Sequence, residues 1–104
     1  MTDVYQQIGH LNDFSDNNMV TYFFNDREIL VIKIDNKLYA VDNICSHSEQ
    51  PLCDGTVIDQ EIECPSHGAK FNIESGEPTT GPALLPIDTF KLKLSKNGEI
   101  LIES

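Results

Sequence analysis

Residues 19–42 read MVTYFFNDREILVIKIDNKLYAVD, three apolar runs parted by two polar interruptions. Met19–Phe24 and Glu28–Ile34 are rich in β-branched and aromatic residues, the composition of a pleated, half-buried surface. Asn25-Asp26 between them are turn residues. Asp35-Asn36-Lys37 breaks the apolar alternation again, so Lys33–Val41 reads as a hairpin. No window of the chain sustains apolar residues at i, i+3, i+4 and i+7 over helical length. The stretch therefore predicts an antiparallel succession of strands, and the fold class is all-β.

The same punctuation continues outward. Val4–Ile8 reads as a first strand. Thr56–Ile58 and Glu61–Glu63 flank Asp59-Gln60 as a second hairpin. Ala69–Ile73 precedes the turn Glu74-Ser75-Gly76. Thr89–Ser95 and Glu99–Ile102 enclose Lys96-Asn97-Gly98, and Asn-Gly is a strong hairpin signal. Pro78, Gly81, Pro82 and Pro86 mark an irregular connection, because proline cannot donate to a ladder. Many short strands at this spacing predict a β-sandwich or barrel. The 104 residues suffice for one domain. Such a chain buries only about 60–65% of its unfolded surface, so a metal centre tying loops together would add useful stability.

Charge narrows the function. Seventeen acidic residues stand against seven basic ones, a net charge of −10, which argues against nucleic acid as a partner. Lys and Arg are absent between Lys37 and Lys70, where Asp42, Glu49, Asp54, Asp59, Glu61 and Glu63 fall. An acidic collar of this kind serves solubility and steers partners with basic docking surfaces. The opening MTDVYQQIGH lacks a basic region followed by an apolar run, and no run of 18 apolar residues occurs. The expectation is a cytoplasmic protein with no membrane span. In a reducing compartment the odd set Cys45, Cys53 and Cys64 points to metal binding or packing rather than to disulfides.

The chemistry-bearing pattern is Cys45-x-His47, then 16 residues, then Cys64-x-x-His67. Both halves fall on loops, and each offers one thiolate and one imidazole. Such a set suits zinc or an iron–sulfur centre. A structural zinc site ordinarily pairs two cysteines two to four residues apart with two histidines three to five apart. Here every pair mixes Cys with His, which fits two irons: each loop gives a sulfur to one and a nitrogen to the other. A Cys2His2 zinc module for protein contacts is the rival. No nucleophile–base pair, phosphate loop or carboxylate pair is visible, so catalysis by this chain itself is not expected.

The segment CSHSEQPLCDGTVIDQEIECPSHGAKFNIESGEP, residues 45–78, resembles the cluster-binding region of Rieske ferredoxins, small electron carriers of bacterial aromatic-ring dioxygenase systems. The resemblance implies an antiparallel β-sandwich with a small cluster-binding subdomain at about residues 42–84. It implies one 2Fe–2S cluster on Cys45, His47, Cys64 and His67, with histidines at exposed loop tips as the electron exit. It also implies a carrier between a flavoprotein reductase and a terminal non-haem iron oxygenase, a role that visits two partners and suits a monomer. Two related roles share the motif: the small Rieske subunit of an assimilatory nitrite reductase, and an accessory ferredoxin of iron–sulfur assembly.

Departures from the respiratory relatives are informative. Those proteins join an extra cysteine from each ligand loop in a disulfide. Here Ser66 occupies one such place and Cys53 lies beyond the other, so that bridge cannot form. Ala69 and Phe71 stand where those relatives carry a Ser and a Tyr hydroxyl near cluster sulfur. Without these hydroxyls the expected potential is at the low end of the Rieske range, on the order of −150 mV. Cys53, beside Leu52, reads as a packing residue, and His10 as a surface or satisfied histidine. Gly68 is expected to permit close backbone approach, Pro51 and Pro65 to stiffen the loops, and Pro82 to belong to a third, covering loop.

Overall fold

Ile29, Leu30, Val31 and Ile32 are all fully buried. Successive strand residues point to opposite faces, so a strand buried at four positions in a row must be covered on both sides. The computed structural model describes residues 4–14, 18–35, 37–44, 51–52, 55–65, 68–80 and 85–103. Its strands are β1 (Tyr5–His10), β2 (Met19–Phe24), β3 (Arg27–Ile34), β4 (Lys37–Asp42), β5 (Thr56–Ile58), β6 (Glu61–Glu63), β7 (Lys70–Asn72), β8 (Pro78–Thr80), β9 (Thr89–Phe90), β10 (Leu92–Leu94) and β11 (Glu99–Glu103).

They form three sheets, ordered β1-β11-β10, β2-β3-β4-β9 and β5-β6-β7-β8, and every pairing is antiparallel. One face of the β2-β3-β4-β9 sheet packs Ile29, Val31 and Ala40 against Ile100 and Ile102 of β11 and against Phe14. The other packs Leu30, Ile32 and Val41 against Ile62, Phe71, Ile73 and Leu52. The middle sheet is thus the shared wall of two cores. Fully burying an Ile or Leu side chain contributes roughly 1.5–3 kcal/mol, and β3 supplies such residues to both cores.

The all-β expectation holds, with four local differences. A register shift between Gln7 and Gly9 lets β1 run on to His10, beyond the expected Ile8. Leu11–Phe14 forms one turn of 3-10 helix that carries Phe14 into the core. The expected strand Thr89–Ser95 is two strands: Thr89–Phe90 pairs with β4 and Leu92–Leu94 with β11, so the chain changes sheets at Lys91. Pro78 opens a strand rather than an irregular link, tolerated as the first residue of edge strand β8. The β2–β3 turn is as expected, with Asn25 at φ 52° and Asp26 at φ 64°, left-handed values that Asn and Asp tolerate.

Candidate metal centre

The second candidate ligand turn is the end of a hairpin. Glu63 of β6 faces Lys70 of β7, and the amide of Cys64 donates to the carbonyl of Ala69 at 2.7 Å. That bond brings Cys64 in over the core, where it is buried among Leu52, Ile62, Ala69 and Phe71. Gly68 has φ +73°, a left-handed value that side chains resist, and a Cβ there would meet Glu63 Oε2 at 3.3 Å. Beside the turn lies a cavity of about 350 Å³ lined by Gly55, Thr56, Glu63, Cys64, Pro65 and Gly68.

The first candidate turn leaves the end of β4. Asn43 is 1% exposed; its amide donates to the Glu28 carbonyl and its Nδ2 to Glu28 Oε1, each at 3.0 Å. On the returning limb the Leu52 amide donates to the Asn43 carbonyl at 2.8 Å, and Ile44 and Pro51 form a β-bridge. Leu52 is fully buried in the core that also holds Cys64. Both candidate turns therefore rise from one patch of packing. The Gly55 amide donates to the Leu52 carbonyl at 2.9 Å.

Of the four candidate ligands, Cys64 is placed at this site; Cys45, His47 and His67 lie outside the described residues, as do Cys53, Ser66 and Pro82. Among the described residues no three of His, Cys, Asp and Glu gather around one point. The donor set fits a 2Fe–2S group in chemistry, and the structure adds a thiol-bearing residue at the rim of a cavity whose walls include two glycines. Ala69 and Phe71 are fully buried beside it and bring no hydroxyl.

Electrostatics divide the molecule. Arg27 Nη2 donates to Asp42 Oδ2 and Asp88 Oδ2, both at 2.7 Å, and its guanidinium lies 5.0 Å from the Phe90 ring centroid. The two carboxylates, Asp88 first, hold the guanidinium above its ordinary pKa. This brace ties the chain entering the first turn to the chain leading into β9. His10 sits elsewhere and is satisfied: Nδ1 accepts from the Asn12 amide at 3.0 Å, and Nε2 lies 2.8 Å from the Asn97 carbonyl. The residues that sequence reasoning passed over are Asn43, Glu28 and Arg27. Their only sequence signal is polarity at strand ends, which ordinary surface residues share.

A family model described as the Rieske [2Fe-2S] domain matches residues 4–91. The ferredoxin component of the naphthalene 1,2-dioxygenase/salicylate 5-hydroxylase systems of Ralstonia sp is 30% identical over 94 residues, 90% of each chain. Among solved structures, the ferredoxin of carbazole 1,9a-dioxygenase from Nocardioides aromaticivorans IC177 superposes with a TM-score of 0.85 at 29% identity, covering 98% of this chain and 97% of that one. A chain described as an NADH-dependent nitrite reductase small subunit from Mycobacterium tuberculosis has a TM-score of 0.84 at 15% identity, covering 100% and 97%, a likeness of fold.

Proposed function

The chain belongs to the Rieske [2Fe–2S] domain family, and we propose that it is a one-electron carrier passing electrons from a flavoprotein reductase to a terminal non-haem iron oxygenase in the cytoplasm. The single observation that carries this reading is the 30% identity to a dioxygenase-system ferredoxin component across nine-tenths of both chains. Residues about 42–84 form the cluster-binding subdomain, and Cys45, His47, Cys64 and His67 hold the one 2Fe–2S cluster.

When bound, that cluster supplies reversible one-electron redox chemistry. The chain's own residues set its conditions. Cys45 and Cys64 would hold the cluster through thiolates, and His47 and His67 through imidazoles. Ala69 and Phe71 offer no hydroxyl to stabilise added negative charge, and nearby carboxylates such as Glu63 oppose it, so the potential is low. Asp59, Glu61 and Glu63 on the β5–β6 hairpin favour partners with basic docking surfaces. A monomer suits a carrier that must present one face to two partners in turn.

Absorbance and EPR of the purified protein, with metal analysis, test the reading. Expected are two irons and two sulfides per chain and, after dithionite, the EPR signal of a mixed sulfur–nitrogen 2Fe–2S centre. Replacing His47 or His67 with Cys should lower the potential or lose the cluster, while His10→Cys leaves the spectrum unchanged. A colourless, EPR-silent, zinc-loaded protein overturns the assignment. Failure of a flavoprotein reductase to reduce a properly loaded protein overturns the carrier role instead.

A further inference from the structure

We infer that Asn43 is the positioning residue for the first ligand turn, holding both of its ends through Glu28 and Leu52. This rests on the reading above that Cys45 and His47 are ligands. Ile44 and Pro51, which flank residues 45–50 in sequence, form a β-bridge. Asn43 stands at the foot of the outgoing limb and ties it to the sheet and to the returning limb: its amide and Nδ2 donate to the Glu28 carbonyl and carboxylate, and its carbonyl accepts from the Leu52 amide. An outer brace surrounds it, with the Asp42 amide donating to the Asp88 carbonyl at 2.9 Å and Arg27 bridging the Asp42 and Asp88 carboxylates.

The residue type is decided by chemistry. At 1% exposure a side chain needs partners, and one here is a carboxylate. A carboxamide donates to it in a charge-assisted bond; an aspartate in its place would present like charge to Glu28, and an alanine would leave the carboxylate without that donor. Glu28 belongs to β3, which is locked between β2 and β4. The sheet's rigidity is thereby passed to a turn that must keep a thiolate and an imidazole in register with the Cys64 hairpin. Six residues with free ends could meet the same metals in many arrangements.

The test compares wild type, Asn43→Ala, Asn43→Asp, and the double variant Asn43→Asp/Glu28→Gln, in which the glutamine amide can donate to the new carboxylate. Cluster loss to an iron chelator is followed by absorbance, together with EPR line shape and reduction potential; urea melting of each apo form reports on the fold. Expected is cluster loss faster by about tenfold in both single variants, the scale of one hydrogen bond to a charged group. A broadened EPR signal should accompany it, and the double variant should return within about twofold of wild type on the same scale. If the single variants lower apo stability while cluster loss, EPR and potential stay at wild-type values, Asn43 merely stabilises the sheet and the inference falls. Should Asn43→Ala fail to fold, Glu28→Met, which removes the acceptor, decides: unchanged cluster retention overturns the proposal, accelerated loss supports it. A wild-type protein that assembles no 2Fe–2S cluster sinks the underlying ligand reading as well.

Discussion

Gly76 closes the turn after β7, where its amide donates to the Asn72 carbonyl and its carbonyl accepts from the Ile87 amide. Its φ is +79°, and a Cβ at this position would collide with the Ile87 carbonyl oxygen. Both strain and collision oppose any side chain, since a left-handed backbone alone costs an L-residue roughly 1–2 kcal/mol. Gly76→Ala is therefore expected to destabilise the fold by about 2–3 kcal/mol. A urea melt checks it, and an unchanged midpoint would refute the close approach. The sequence placed a turn at Glu74-Ser75-Gly76, as the structure does. It could not show that Ile87, eleven residues on, packs its backbone against that turn.

At the scale of elements, β1, the 3-10 turn and β2 are joined by one carboxylate. Asp13 Oδ2 accepts from the His10 amide at 3.0 Å and from the Tyr22 hydroxyl at 2.8 Å. The His10 amide, then the Tyr22 hydroxyl, hold Asp13 below its ordinary value of 3.8. Burial, then the bond to Asp13, push the Tyr22 phenol well above its ordinary 10.0. The signs are opposite. Above about pH 10 an unfolded chain releases the Tyr22 proton while the folded chain keeps it, so stability falls as pH rises. Below about pH 4 an unfolded chain binds the Asp13 proton before the folded one does, so stability falls as pH drops. Tyr22→Phe should flatten the alkaline limb and weaken the acid limb, read as urea midpoint against pH. An alkaline limb as steep as wild type would show that the fold does not hold the Tyr22 phenol above its ordinary value.

Across the whole molecule, charge is uneven between the layers, although Glu99 and Glu103 lie on β11 and Lys70 faces Glu63. Asp59, Glu61 and Glu63 lie on the β5–β6 hairpin, packed on one face of the middle sheet. Lys91 and Lys93 border and occupy edge strand β10 on the other side, with Lys93 Nζ 4.4 Å from the Tyr5 ring centroid. Such an asymmetry orients an acidic end toward a basic partner before contact. The second-order rate of electron transfer to a basic partner should accordingly fall by about tenfold between low and physiological salt. In Asp59→Asn/Glu61→Gln it should start lower and depend less on salt. Stopped-flow absorbance measures this, and a salt-independent rate would remove electrostatics from the docking step.

Strand identity, most turns and the two Cys–His pairs could be read from residue order, because alternation, turn chemistry and ligand spacing are local properties. Cys64 was singled out in this way, whereas Ala69 and Phe71, buried with it in one core, were singled out through the resemblance to Rieske relatives. Three-dimensional packing decided the rest. The alternation of Thr89–Leu94 is the same whether it forms one strand or two, and only pairing with β4 and then β11 divides it at Lys91. Likewise Asn43 and Glu28 are 15 residues apart and look like ordinary strand-end polar residues. What joins them is the antiparallel register of β3 and β4, since hydrogen bonding between distant segments leaves no periodic mark in the order of the chain.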